Sequence, residues 1–321
     1  MELAEIYAPV QEDLTRVEDR LVAVSQADYP RLSELLDYSL KSNGKRIRPI
    51  LTLMSGQFYD YNLELLLPMA TAVEIMHTAT LVHDDAIDNS QTRRGRRTVY
   101  SLWGAEKAVL LGDYLFAEAG ALTASTGNLR VIKLFARTLK TISSGELSQS
   151  FSAFDLEQSR SQYMQRVTQK TASLFCMSTE SGAALSQAPE ASIQILIEYA
   201  HNLGIAFQIV DDILDFIGTE EELGKPTGSD LAQGTITLPS ILLLERYPED
   251  NPVKRLFRDH DDRENIKQAI EMVRDSSIIQ ECYQVASEYS AQACRNLKQL
   301  PDNASRQSLL ALADYIVRRK R

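Results

Sequence analysis

His83-Asp84-Asp85-Ala86-Ile87-Asp88 stands at the end of a long apolar run that begins near Leu63. Much later, Asp211-Asp212-Ile213-Leu214-Asp215 closes another. Apolar residues recur through both runs at helical spacing, so each reads as a helix that ends in acid. Each helical residue turns by about 100°, so carboxylates at i, i+1 and i+4 project from one side. Like charges at i and i+4 repel and weaken an isolated helix. For one such cluster the alternative is a solvated acidic helix end. Two copies with identical spacing, both after apolar runs, weigh against it. Clusters of this kind want divalent cations between them. Oxygen-only ligands suit Mg²⁺, which keeps its waters, takes one or two carboxylates and completes its shell with substrate phosphates. The pair therefore reads as a metal-bridged diphosphate site.

Composition bounds the rest. With 321 residues, 44% of them hydrophobic, the chain can bury a large core, as one big domain or two ordinary ones. No linker, low-complexity tract or composition shift divides it, so a single domain over 1–321 is expected. A formal net charge of -10 argues against nucleic acid or an anionic membrane as a bulk partner, leaving local basic patches open. Three scattered cysteines (Cys176, Cys282, Cys294) lack metal-ligand spacing and fit a reduced compartment better than a disulfide scaffold. The first residues, Met-Glu-Leu-Ala-Glu, lack the basic and apolar regions of a signal peptide. No apolar run is read as reaching the ~18 residues of a membrane span. The expectation is a cytoplasmic chain without an integral span.

Helical periodicity dominates and period-2 alternation is nearly absent, which predicts an all-α fold. Helices are expected over about 3–26, with a break near Pro9, and over about 30–42, stopping at Ser42-Asn43-Gly44. Lys45-Arg46-Ile47-Arg48-Pro49 then stands at the entry of a helix running to about 59. Helix starts favour phosphate, and Lys and Arg beside one strengthen that. A surface basic patch is the plainer alternative. Leu63 to Asp88 is one helix with Pro68 near its start, and His77 lies two turns before Asp84. A histidine on an apolar helix is usually a core residue, yet this one can face the same cavity. Arg93-Arg94-Gly95-Arg96-Arg97 follows as a basic loop. Beside clustered carboxylates such a loop suits the far oxygens of a diphosphate better than nucleic acid. Further helices are expected at about 104–126, 128–152, 159–186 and 190–217. Gly145-Glu146 and Gln149 fall inside the second of these and Lys170-Thr171 inside the third, where a polar face is the ordinary explanation. A polar loop over 218–234 reads as a flap, and shorter helices end in Arg318-Arg319-Lys320-Arg321. His260-Asp261-Asp262 repeats the letters of the first cluster without its third Asp and reads as a surface turn.

Together these motifs resemble the trans-polyprenyl diphosphate synthases. His83 to Asp88 with Thr92-Arg93-Arg94-Gly95 looks like that family's first aspartate-rich motif, and Phe207-Gln208-Ile209-Val210 with Asp211 to Asp215 like its second. Gly44 to Pro49, Lys170-Thr171 and Gly224-Lys225 match the remaining signatures in order. The resemblance is close over about 30–240 and looser beyond. There are two departures. Asn43-Gly44 stands where the family has Gly-Gly, a mild change because Asn tolerates left-handed backbone. Gly234-Thr235 stands where the family often has a lysine, although Lys225 remains.

The resemblance implies an all-α, single-domain helical bundle around a deep cavity, usually in two subunits. It implies head-to-tail condensation of isopentenyl diphosphate onto an allylic diphosphate. Two or three Mg²⁺ ions would be held by Asp84, Asp88 and Asp211, with Asp85, Asp212 and Asp215 as further ligands or support. Arg93, Lys170, Thr171, Gln208 and Lys225 would hold the allylic diphosphate. Lys45, Arg48, His77 and Arg94 would grip isopentenyl diphosphate. The departing diphosphate takes the proton, so no protein base is required. Each isoprene unit adds about 5 Å, close to a helical turn of about 5.4 Å, so residues before Asp84 act as a ruler. Ala79 and Thr80 are small where short-chain members place an aromatic floor, with Met76 and Val73 deeper, and Phe135 or Leu139 facing them. By analogy the product is long, about C30–C50 at roughly one unit per turn, the range of quinone side chains. A homodimer is expected, with a heterodimer containing an inactive subunit as the alternative. The rivals are a short-chain synthase, a terpene cyclase, whose second metal motif is mixed rather than all aspartate, and a non-catalytic subunit, which the two intact clusters disfavour.

Overall fold

Pro9 interrupts the first expected helix, as its missing amide requires: α1 (Leu3–Tyr7) and α2 (Gln11–Val24) are separated by a 3₁₀ turn at Ala8–Val10. Then come α3 (Pro30–Leu40), α4 (Ile47–Gly56) and α5 (Leu63–Ile87). A hairpin of β1 (Thr92–Arg93) and β2 (Arg96–Arg97) leads into α6 (Val99–Trp103), α7 (Ala105–Ser125) and α8 (Leu129–Phe151). α9 (Arg160–Val167) and α10 (Ser173–Leu185) are joined by a π-turn at Thr168–Ala172. α11 (Glu190–Ile217), α12 (Ser229–Ala232), α13 (Leu238–Arg246), α14 (Pro252–Leu256), α15 (Arg263–Arg274), α16 (Ile278–Cys294) and α17 (Ala304–Arg318) complete the chain. This computed structural model describes residues 2–27, 29–41, 44–219, 226–260 and 262–319. The fold is all-α, and the basic hairpin is the only sheet among the described residues.

Contacts divide the chain into two compact units. The first comprises Met1–Leu139, Leu174–Ala200 and Cys294–Leu312. Its core helix is α5, which starts where the Asn62 side chain accepts the Glu64 amide at 3.1 Å. Leu66, Met69, Val73, Ile75, Met76 and Ala79 are all fully buried, the pattern of a helix apolar on nearly every face. α7 covers α5 most extensively and α4 next. Burying one such aliphatic side chain contributes roughly 1.5–3 kcal/mol. Arg46, in left-handed backbone at φ 51°, starts α4 and turns its guanidinium inward. It donates to Glu74 on α5 at 2.7 Å and to Glu18 on α2 at 2.6 Å, tying three segments together.

The second unit comprises Lys140–Ser173, His201–Ala293 and Ala313–Arg321. Its core gathers Tyr163 and Val167 of α9, Ile209, Ile213 and Phe216 of α11, Leu243 of α13 and Val273 of α15. α15 is amphipathic, burying Ala269, Ile270 and Val273, and the Asp262 side chain caps it by accepting the Glu264 amide at 3.0 Å. His260 stands in an exposed turn, as expected, with its ring stacked on Phe154 at 3.8 Å, and Asp262 caps the helix that follows. Asp261 lies outside the described residues.

The sequence reading of apolar run lengths needs one correction. By length and composition α5 and α11 are long and apolar enough to cross a membrane. Charged residues are few in both runs, and the one near the middle of α5, Glu74, is buried against Arg46. More than half of each apolar stretch is buried within the protein, as in a core helix.

Candidate active site

In the first unit α5 ends on the first acidic cluster. Asp88 caps the helix, its amide donating to the Asp84 carbonyl at 2.8 Å. Asp84 and Asp88 are half-buried, one turn apart. Asp85 is buried and accepts from Arg93 Nε at 2.7 Å. Burial pushes the Asp85 carboxyl up, and the Arg93 guanidinium opposes it. The three carboxylates therefore differ: Asp84 and Asp88 are the accessible pair, and Asp85 fixes the hairpin.

That hairpin replaces the expected basic loop. Thr92 pairs with Arg97 and Arg93 with Arg96. Both turn residues, Arg94 at φ 51° and Gly95 at φ 72°, are left-handed, as a two-residue type I′ turn demands. Its arginines divide in function. Arg96 lies over the Tyr38 ring at 4.5 Å, and Arg97 donates to the Ser101 hydroxyl and carbonyl at 3.0 and 2.9 Å. Arg94 reaches back to Gly44, where a Cβ would stand 3.5 Å from guanidinium nitrogens of both Arg46 and Arg94.

Arg48 and His77 lie beside them, and Lys45 precedes Arg46 in the chain. The Lys45 carbonyl accepts from Tyr7 at 2.7 Å, and Arg48 sits 4.9 Å over the Phe175 ring. His77 is held well below its ordinary pKa, first by burial and then by Arg48, Arg94, Arg93 and Arg46. It is therefore neutral at pH 7, inside a cluster of guanidiniums suited to an anion of high charge. Thr80 donates to the His77 carbonyl at 2.8 Å, and Ala79, Met76 and Val73 are fully buried below it. Phe135 lies near Gly120 of α7, its ring 3.6 Å from where a Cβ there would be.

In the second unit α11 ends on the other cluster, and its carboxylates differ in the same manner. Asp212 is buried, accepting from the Tyr163 hydroxyl at 2.6 Å and Gln208 Nε2 at 2.8 Å. Burial, and then Asp230, push its carboxyl up to about 8 against Tyr163, Gln208 and Arg166. Asp215 is buried under the Ser229 hydroxyl at 2.8 Å and the Asp230 amide at 3.3 Å. Asp211 alone keeps a side chain 39% exposed, the feature a metal ligand needs, and Arg319 donates to it at 2.5 Å.

The π-turn presents Lys170 and Thr171. Lys170 Nζ reaches Glu146 at 2.6 Å and Gln149 at 2.9 Å, and the Thr171 hydroxyl donates to Gln208 Oε1 at 2.7 Å. Thr171, Gln208, Asp212 and Tyr163 thus form one hydrogen-bonded chain. Lys225, expected on the flap, lies outside the described residues, as do Asn43 and Gly224. Sequence reasoning gave no role to Tyr163, Arg166, Glu146, Gln149 or Arg319. Glu146 and Gln149 read only as residues within the expected helix 128–152, and Arg319 as part of a terminal basic run.

The donor set fits Mg²⁺. Among the described residues no three acidic, histidine or cysteine groups converge as a closed metal cage. Mg²⁺ does not require one, since one or two carboxylates with water and phosphate oxygens fill its shell.

An all-helical fold whose two acidic helix ends each keep accessible carboxylates is the architecture expected of a prenyltransferase-type enzyme. Residues 29–273 match the sequence model for polyprenyl synthetase, and the chain belongs to that family. It is 38% identical to heptaprenyl diphosphate synthase component 2 of Geobacillus stearothermophilus, over 99% of each chain. It is 36% identical to the chloroplastic solanesyl diphosphate synthase 2 of Arabidopsis thaliana, over 96% of this chain and 75% of that one. Its fold is similar to a crystallised polyprenyl synthase of Caulobacter crescentus complexed with calcium and isoprenyl diphosphate. There the TM-score is 0.94 at 32% identity, covering 100% of this chain and 98% of that one.

Proposed function

We propose that the protein condenses isopentenyl diphosphate onto an allylic diphosphate and releases a long all-trans polyprenyl diphosphate. The observation that carries this is the split in each aspartate cluster of a polyprenyl synthetase chain. Asp84, Asp88 and Asp211 keep accessible oxygens, while Asp85, Asp212 and Asp215 are buried and held by Arg93, Tyr163 with Gln208, and Ser229. Two or three Mg²⁺ ions held by the accessible carboxylates would neutralise the allylic diphosphate as it leaves.

The chain's own residues do the rest. Lys170, Thr171, Gln208, Arg93 and Lys225 hold the allylic diphosphate. In this reading the Thr171–Gln208 pair steadies positive charge and the Lys170 ammonium negative charge as the bond to oxygen opens. Arg48, Arg94 and Lys45 grip isopentenyl diphosphate. Neutral His77 adds a hydrogen bond without a further charge. The isopentenyl double bond attacks the allylic carbon, and the released diphosphate takes the proton. The heptaprenyl and solanesyl names of the relatives support a long product, as do the small residues Ala79 and Thr80.

The working enzyme has more than one chain in this reading, a homodimer first. The word "component" in the names of two relatives supports a heteromer as the alternative. The three free cysteines, Cys176, Cys282 and Cys294, support a cytoplasmic location. The test is a magnesium-dependent assay with radiolabelled isopentenyl diphosphate and chromatography of the dephosphorylated product. No incorporation, alone or with a candidate second subunit, would refute the assignment.

A further inference from the structure

At the π-turn Thr168–Ala172 the Ser173 amide donates to the Thr168 carbonyl, five residues back. Such turns are rare, add one residue to a helix and widen it locally. Two helices of the same unit meet this bulge, and each does so with a glycine. A Cβ at Gly145 would stand 2.9 Å from Gln169 Cβ and 3.2 Å from Lys170 Cγ. A Cβ at Gly204 would stand 2.6 Å from Ala172 Cα and 3.0 Å from its Cβ. All four distances fall below ordinary van der Waals contact, so the widened turn seats only because both positions lack a side chain.

The same two helices then grip what the turn presents. The stretches read Gly145-Glu146-Leu147-Ser148-Gln149 and Gly204-Ile205-Ala206-Phe207-Gln208, a glycine followed four residues on by a glutamine. Residues i and i+4 lie on one helix face, one turn apart. Gln149 Oε1 accepts from Lys170 at 2.9 Å, with Glu146 on the same ammonium at 2.6 Å. Gln208 Oε1 accepts from Thr171 at 2.7 Å and passes the contact on to Asp212. Each neighbour therefore makes room with its glycine and fixes the side chain with its glutamine.

We propose that these two Gly-x-x-x-Gln segments form a cradle that seats the π-turn and aims Lys170 and Thr171 at the allylic diphosphate. Gly145, Gly204 and Gln149 are then positioning residues for the reaction. This rests on the roles given to Lys170 and Thr171 above. An added methyl at Gly145 pushes on the base of Gln169 and the stem of Lys170, which moves Nζ. Small misplacement of a binding group is costly to rate and affinity. The effect is confined to one substrate, because isopentenyl diphosphate is assigned to other residues.

The experiment compares Gly145→Ala, Gln149→Met, Lys170→Ala and Gly56→Ala, measuring KM for each substrate, kcat and Tm. Gly56 is the control: a Cβ there meets Leu66 Cδ1 at 2.6 Å in the first unit, so it brings packing strain without touching the π-turn. Gly145→Ala and Gln149→Met should raise the allylic KM about tenfold while isopentenyl KM stays within about twofold, the scale of one charge-assisted hydrogen bond. Gly56→Ala should lower Tm and leave both KM values unchanged. Gln149→Met adds no bulk at the helix contact, so it carries the test if Gly145→Ala does not fold. The cradle is refuted if Gln149→Met keeps the wild-type allylic KM, if both substrates weaken equally, or if Gly56→Ala gives the same rise. A wild-type allylic KM in Lys170→Ala would instead overturn the role of Lys170 itself.

Discussion

Arg319 donates to Asp211 at 2.5 Å and to the Phe207 carbonyl at 2.9 Å, with its guanidinium 4.1 Å over the Phe207 ring. A cation of the protein thus rests on the most accessible carboxylate of the second cluster. Arg319 occupies one Asp211 oxygen with a full positive charge, so a divalent ion taken by Asp211 would meet a competing cation there. Arg319→Gln should therefore tighten Mn²⁺ binding to substrate-free protein by about three- to tenfold, the worth of a partly exposed ion pair near 1 kcal/mol. Titration followed by electron paramagnetic resonance reads this directly. Unchanged or weaker binding would show that Arg319 does not compete for the site.

The carboxylates themselves separate by accessibility. Asp84→Ala and Asp211→Ala should each lower kcat by roughly 100-fold or more, since they remove groups assigned to stabilise developing charge. Circular dichroism should stay native, because neither side chain is buried and loss of like-charge repulsion favours the helix. Near-normal turnover in both variants would sink the metal-bridge reading.

His77 supplies a pH test that does not involve a metal ligand. Burial, followed by Arg48, Arg94, Arg93 and Arg46, holds its pKa well below the ordinary value. The folded imidazole stays unprotonated where the unfolded one binds a proton. Its contribution is present above the unfolded pKa of about 6.5 and is lost as pH falls below it, by up to about 1.4 kcal/mol per pH unit. Urea unfolding of wild type and His77→Gln at descending pH should show curves that converge in this window. Parallel curves would mean that the imidazole titrates normally in the fold.

Much of this architecture was legible because it follows from local chemistry. Pro9 and the apolar periodicity of α5 and α11 place helices and breaks without reference to tertiary contacts. The split within each aspartate cluster came only with the family resemblance and not from the residues themselves, because Asp85 and Asp212 are set apart by partners at Arg93 and Tyr163, far along the chain in the second case. The run Arg93 to Arg97 showed its charge but not its shape. The type I′ turn depends on Arg94 accepting a left-handed backbone that arginine alone disfavours. The π-turn at Lys170 was invisible for a related reason: its cause lies in Gly145 and Gly204 on other helices. Arg46 shows the same limit, since a basic cluster reads as surface until Glu74 and Glu18 are found around it.

In the proposed function, product length is expected to turn on Ala79. In that reading a chain growing from the metal site passes the residues that precede Asp84, and the first turn back carries Ala79 and Thr80. Ala79 is fully buried on α5 with Met76 and Val73 beneath it. An aromatic ring at 79 has to displace whatever occupies that space, whether growing product or a packed neighbour. If the space is a packed helix contact, Ala79→Phe is overpacked and loses about 1–3 kcal/mol of stability with no change in product. If it is the path of the chain, stability changes little and the product shortens towards about C15–C20, a loss of several units at about one turn each. We expect the second outcome, with kcat for the first condensation retained because Asp84 and its partners are untouched. The two are separated by measuring Tm alongside chromatography of the dephosphorylated products from Ala79→Phe and Ala79→Tyr. Products of parental length from both variants would place the floor elsewhere and remove the residue basis for a long-chain assignment.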